Sequence, residues 1–247
     1  MVDTTAKHFV LIHGVSVGAW CWYKLVVLLK NAGHKVSAID LAASGRNMER
    51  IEDLHSIDEY HKPLFLFMEQ LSPQDKVILV GHSLGGHVVA SAMERFPEKI
   101  AFAVFVAAFM VGPHLTLDQI NFRLTGSHDD SQSVATIDWD YSKVYQNSPP
   151  EDIELASLLL RVSTFFNDPL SKRQVLVTEK RYGSIHRAYV IAGSDLAMPV
   201  DLQKWMVENN PPDEEYEIKE ADHMVMISKP QELCNILVRI ARTLNSN

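Results

Sequence analysis

The sequence predicts an α/β fold in which a mostly parallel central sheet is flanked by helices and carries a helical insertion. Three observations lead there. Short, continuous apolar runs alternate with stretches whose apolar residues recur at helical spacing, which implies parallel strands joined by right-handed crossovers. One such run, Val77 to Val80, stops at Gly81-His-Ser-Leu-Gly-Gly86 and leads into a helix-like stretch, so Ser83 stands at the apex of a strand, a sharp turn and a helix. The alternation then lapses from about Gly112 to Tyr182 and resumes afterwards.

Taken in order, Phe9 to His13 reads as a strand buried on both faces, because it is apolar without alternation. Trp20 to Lys30 has helical periodicity and stops near Gly33, a C-cap signal. Lys35 to Leu41 is the next strand, Ala42 to His61 is irregular and polar, and Leu64 to Leu71 is helical with Pro63 near its start. The helix His87 to Phe96 follows the serine turn and ends before Pro97, and Ala101 to Ala108 is another buried strand. The lapse holds proline pairs, scattered aromatics and helical stretches around Glu151 to Arg161, as expected of a cap over the carboxyl edge of the sheet. Strand Arg187–Ala192, helix Val200–Asn209, strand Tyr216–Ile218 and helix Pro230–Leu244 close the chain. The expected organisation is a core of residues 1–111 and 183–247 with a cap of residues 112–182, forming one compact unit.

The chain has 247 residues, 47% hydrophobic and 22% charged, enough for one sizeable core. A net charge of -8 argues against nucleic acid or an anionic membrane as partner, since both call for clustered Lys and Arg. Cys21 and Cys234 lie far apart and imply no disulfide framework. No apolar stretch is long enough for a bilayer, and the first residues contain no apolar signal region, so the expected location is the cytosol. With no phosphate loop, dinucleotide fingerprint or metal-spaced His/Cys cluster, neither a cofactor nor a metal is expected.

Gly81-x-Ser83-x-Gly85 is a nucleophile elbow. Its turn is so tight that flanking Cβ atoms would collide with backbone, and it lifts the Ser83 hydroxyl clear of the sheet. A serine hydroxyl is a poor nucleophile near neutral pH, so it needs a base, and the base needs an orienting acid. On this architecture they follow in the order Ser, Asp or Glu, His, at the carboxyl ends of strands. Asp195 fits the acid, on the turn after the strand Arg187–Ala192. Asp201 reads instead as an N-terminal helix charge and Asp168 as a turn residue. Among 11 histidines, His223, in the loop after the last strand, has the position and order of a base. His34, His55, His61, His114, His128 and His186 read as solvated or loop residues, His82 and His87 as packing around the elbow, and His13 as shaping the loop after the first strand. The Leu84 amide, at the positive start of a helix, and the Val15 amide are the candidate oxyanion donors. Aromatic residues of the insertion and its borders, with Phe109, Trp139, Tyr145 and Phe165 among them, suggest an apolar pocket for a compact acyl group, together with Gly14 and Met224 next to the catalytic positions.

With these residues in view, the chain resembles the plant methylesterase and hydroxynitrile lyase family, which has the α/β-hydrolase fold. The marks are His8-Phe-Val-Leu-Ile-His-Gly, Gly18-Ala-Trp-Cys-Trp-Tyr-Lys, Asp40-Leu-Ala-Ala-Ser-Gly, Gly81-His-Ser-Leu-Gly-Gly, Lys180-Arg-Tyr-Gly-Ser and Ala221-Asp-His-Met. The resemblance implies a catalytic triad of Ser83, Asp195 and His223 and a small-molecule ester substrate, such as a methyl ester of a plant hormone or alkaloid. It also raises the expectation of a homodimer. Cyanohydrin-cleaving members carry threonine and lysine where this chain has Gly14 and Met224, the esterase-like choices. Methylketone synthases of the family replace the nucleophile by alanine, whereas Ser83 is present here. After the first strand this chain reads His13-Gly-Val-Ser-Val-Gly, where esterase members commonly read His-Gly-Ala-Cys-His-Gly, a change bordering the expected pocket. The leading expectation is a methyl carboxylesterase, with decarboxylation to follow if the product is a β-keto acid. The rivals are a hydroxynitrile lyase and a weakly catalytic ligand receptor on the same fold.

Overall fold

The computed structural model describes residues 6–126, 140–166 and 168–244. Among these residues six parallel strands form one sheet in the order β2-β1-β3-β4-β5-β6, with β1 His8–Ile12, β2 Lys35–Ile39, β3 Val77–Ser83, β4 Ile100–Ala108, β5 Arg187–Ala192 and β6 Glu214–Ile218. The apolar runs of the sequence are strands because both of their faces are covered. In β1, Val10 and Ile12 enter one core cluster and Phe9 and Leu11 the other. In β3, Val77 and Leu79 divide from Ile78 and Val80 in the same way.

Helices fill both sides. On one lie α1 (Tyr23–Asn31), whose Leu25 and Leu29 are fully buried, and α10 (Pro230–Thr243), which buries Leu233, Leu237 and Ile240. On the other lie α2 (Ile57–Gln70), α3 (Gly85–Arg95) and α8 (Val200–Asn209). Between β4 and β5 come α4 (Leu117–Thr125), α5 (Tyr141–Val144), α6 (Pro150–Leu159) and α7 (Pro169–Gln174), with no named strand among the described residues. The short α9 (Val225–Ser228) precedes α10. No helix of the described residues is long and apolar enough to cross a membrane.

The clearest departure from the sequence reading is α2. It begins at Ile57, not near Leu64, so Pro63 lies inside it. An interior proline removes a helical hydrogen bond and costs about 3 kcal/mol. Two features offset that. Ser56 caps the helix by accepting from the Glu59 amide, and Ile57, Tyr60, His61 and Leu64 are buried along one face. The polar appearance of Asp58, Glu59 and Lys62 conceals this stripe in the sequence.

Candidate active site

The elbow is a crowded junction. Ser83 adopts φ 52, a left-handed conformation that costs a non-glycine residue on the order of 1–3 kcal/mol and persists only where the surroundings enforce it. They do so through close backbone approach. A Cβ on Gly85 would lie 2.5 Å from the His13 carbonyl oxygen, and one on Gly14 would lie 2.8 Å from Ser83 Cβ. Glycine is therefore needed at both positions for β1, β3 and α3 to meet. Leu84 is the N-cap of α3, and its amide, like that of Val15, forms no hydrogen bond to a protein acceptor among the described residues.

Three side chains distant in sequence meet over the elbow. His223 Nε2 lies 3.0 Å from Ser83 Oγ, and His223 Nδ1 lies 2.7 Å from Asp195 Oδ2. The Asp195 carboxylate is fixed in turn. Its Oδ1 accepts from the amides of Ala197 at 2.8 Å and Met198 at 2.7 Å, while the fully buried Gln203 donates to Oδ2 at 3.5 Å. Gln203 also bonds the Ala192 amide and the Met198 carbonyl, which ties the acid turn to α8. Burial disfavours charge on His223, but the Asp195 charge and hydrogen bond, helped by Asp222, outweigh it and hold its pKa above the usual histidine value. Asp195 dictates the tautomer: Nδ1 carries the proton and donates to the carboxylate, leaving the Nε2 lone pair to accept a hydrogen bond from the Ser83 hydroxyl. The His82 ring lies against that of His223, tilted by 53° with centroids 4.7 Å apart, and its Nε2 donates to the His223 carbonyl at 2.8 Å. Burial keeps His82 neutral.

A cavity of roughly 160 Å³ opens over Ser83 and His223. Val15, Phe109, Ala197 and Met198 form its core-side wall. Leu124, Val144 and Phe165, with Asp140 as a polar rim residue, come from the segment between β4 and β5. Of the residues expected at the pocket, Phe109 and Phe165 line it, and Gly14 abuts Ser83 without lining it. Tyr145 and Met224 do not reach it. Both are buried in the core cluster that contains Cys21, Trp22 and α10, Tyr145 because the end of α5 turns it inward and Met224 because α9 starts there. Trp139 lies outside the described residues. Leu124, Val144 and Met198 carry no sequence signal beyond being apolar, and no motif marks Gln203 within the helix Val200–Asn209.

The histidines correct two further expectations. His61 is fully buried inside α2, where its Nε2 meets His87 Nδ1 at 3.0 Å, and His34 is only 7% exposed. His61 faces inward because it falls on the same stripe as Ile57 and Leu64. His55, His114 and His186 are exposed, and His128 lies outside the described residues. His13 bonds the Leu41 amide through Nε2 at 3.1 Å and the Gly14 carbonyl through Nδ1 at 2.7 Å, which holds the loop it begins. Asp168 caps α7, and Asp201 lies in the first turn of α8. Cys21 and Cys234 are free and buried.

The parallel sheet, with a serine on the tight turn between β3 and α3, is the architecture of the α/β hydrolases. The alpha/beta hydrolase family model matches residues 9–236, and the chain belongs to this family, in its plant methylesterase branch. It is 44% identical to methyl jasmonate esterase 1 of Vitis vinifera, over 98% of this chain and 99% of that protein. It is 43% identical to methylesterase 9 of Arabidopsis thaliana, over 95% and 98% of the two chains. Among solved structures, polyneuridine aldehyde esterase superposes with a TM-score of 0.85 at 39% identity, covering 96% of this chain and all of that one.

Proposed function

We propose that the protein is a serine esterase that hydrolyses the methyl ester of a small plant metabolite, a hormone or alkaloid ester, with Ser83, His223 and Asp195 as its catalytic triad. The chain is a carboxylic ester hydrolase. The observation that carries the finer reading is the double contact of His223, 3.0 Å from Ser83 Oγ on one side and 2.7 Å from Asp195 on the other.

In this mechanism His223 Nε2 takes the Ser83 proton as Oγ attacks the ester carbonyl. The Val15 and Leu84 amides, unoccupied by protein acceptors, receive the oxyanion. Asp195 stabilises the imidazolium, which then protonates the departing methoxide. Methanol leaves an acyl group on Ser83, and water activated by His223 releases the acid. The described residues between β4 and β5 serve as the cap, and Leu124, Val144 and Phe165 exclude water from the acyl group. The two nearby relatives named as methyl ester hydrolases support this substrate class.

Incubation with a panel of hormone, alkaloid and β-keto methyl esters, with methanol as the readout and Ser83→Ala as control, tests the reading. Methanol release from at least one ester, abolished in the variant, is expected. Absence of methanol from every ester, with ligand binding intact in Ser83→Ala, would point to a receptor; cyanide release from a cyanohydrin would point to a lyase. Carbon dioxide release after β-keto ester hydrolysis would extend the reaction to decarboxylation of the freed acid.

A further inference from the structure

The three residues Gln146, Asn147 and Ser148, between α5 and α6, bond to both loops that carry the acid and the base. Gln146 donates its side-chain amide to the Ser194 carbonyl, next to Asp195. Asn147 donates its side-chain amide to the Glu220 carbonyl at 3.0 Å and its backbone N–H to Asp222 Oδ2 at 3.0 Å. Ser148 Oγ donates to the same Asp222 oxygen at 2.8 Å. Asp222 is fully buried, and its other oxygen accepts from the Met224 amide at 3.0 Å, so its carboxylate brackets His223 in the chain. The acid and base loops are also joined to each other, since the Ser194 amide donates to the Ala221 carbonyl at 2.9 Å.

A buried carboxylate is costly unless its lone pairs are filled. Three donors fill those of Asp222, and two of them come from Asn147 and Ser148, a few residues after Val144 of the pocket wall. The far end of α6 is fastened as well. The Arg161 amide donates to the Ser16 carbonyl at 2.9 Å, beside Val15, and its guanidinium holds the carbonyls of Gly45, Asn47 and Glu49.

We propose that Asp222 and Ser148 are positioning residues: their contact staples the 146–148 segment to the base loop and sets His223 at attacking distance from Ser83. This rests on the triad reading above. The carboxylate acts through its neighbour and touches no reacting atom. Misplacing the base by about 1 Å costs roughly 10²-fold in rate, whereas merely loosening a surface turn costs stability alone. Asp222 has a second effect, because His223 faces two carboxylates, Asp195 and Asp222, and the neutral ring of His82. Removing the Asp222 charge lowers the His223 pKa.

The experiment measures the rate at which an alkyl fluorophosphonate labels Ser83 in the full chain, against pH, in wild type, Ser148→Ala, Asp222→Asn and the double variant. This probe needs the nucleophile and base but no knowledge of the ester. Folding is checked by circular dichroism and thermal melting. Both single variants are expected to label about 10-fold to 100-fold more slowly while remaining folded. The double variant should be no slower than the slower single one, because both remove one contact. The acid limb should move to lower pH in Asp222→Asn and stay in place in Ser148→Ala. If Asp222→Asn does not fold, Ser148→Ala alone decides. Labelling of the variants at the wild-type rate, or losses that simply add, would overturn the staple. Failure of wild type to label at Ser83 would instead remove the triad reading, and the staple with it.

Discussion

Two buried histidine sites in this molecule use the same side chain to opposite ends. His223 and the pair His61–His87 are all at most 4% exposed, and each makes a ring-nitrogen hydrogen bond of 2.7 to 3.0 Å. His223 has Asp195 as its partner and its pKa is raised. Among the described residues the rings of His61 and His87 hydrogen-bond only to each other, and burial drives both down, His87 to about 3. Burial alone thus makes a histidine an inert, neutral packing group. A carboxylate placed on the far nitrogen reverses this and raises the affinity of the imidazole for a proton. What stands behind the imidazole separates the two sites.

The comparison can be broken most severely at its source. Asp195→Asn keeps the shape but supplies an amide that no longer fixes the Nδ1–H tautomer, and kcat should fall by about 10⁴-fold. Steady-state kinetics on an active ester would show this, and a loss under tenfold would mean that His223 does not depend on Asp195. The next largest effect is expected from Gly14→Ala, whose Cβ would sit 2.8 Å from Ser83 Cβ and 3.3 Å from Ser83 Oγ. Displacing the nucleophile should cost roughly 10²-fold in kcat/KM with the triad residues intact.

The inert pair gives a stability effect with a definite sign. Folded His61 and His87 stay neutral while the unfolded chain binds protons near pH 6.5, so below that pH the unfolded state holds more protons. Stability should be unaffected above about pH 6.5 and fall by roughly 1.4 kcal/mol per pH unit for each such histidine as the pH drops further. Urea denaturation at pH 7, 6 and 5 measures the slope, and His87→Leu should make it shallower whatever it does at pH 7. The smallest effect is expected at Gln203, whose hydrogen bond to Asp195 is long, at 3.5 Å. Gln203→Leu should lower kcat by about tenfold or less, since the Ala197 and Met198 amides still hold the carboxylate.

The parts of this picture legible in the sequence are those written in local pattern. Apolar runs covered on both faces marked β1, β3, β4 and β5, and the glycines around Ser83 marked the turn. Chain order then singled out Asp195 and His223, because strand ends gather on one rim of a parallel sheet. What stayed hidden depends on packing between distant segments. His61 reads as polar until the stripe of α2 is known, and Pro63 argued against the helix that buries it. Tyr145 looked like a pocket aromatic, yet its direction is set by the end of α5 and by the core around Trp22. Ser148 and Asp222 lie 74 residues apart, and no periodicity joins them.

The central claim, that His223 couples Ser83 to Asp195, is tested most directly by the pH dependence of fluorophosphonate labelling, with the adduct located by mass spectrometry. The account predicts a single adduct on Ser83, formed at a rate that rises through an acid limb above pH 6.5, the usual histidine value, and that nearly vanishes in His223→Ala. Labelling that is independent of pH across this range, or equally fast without the imidazole, would contradict it.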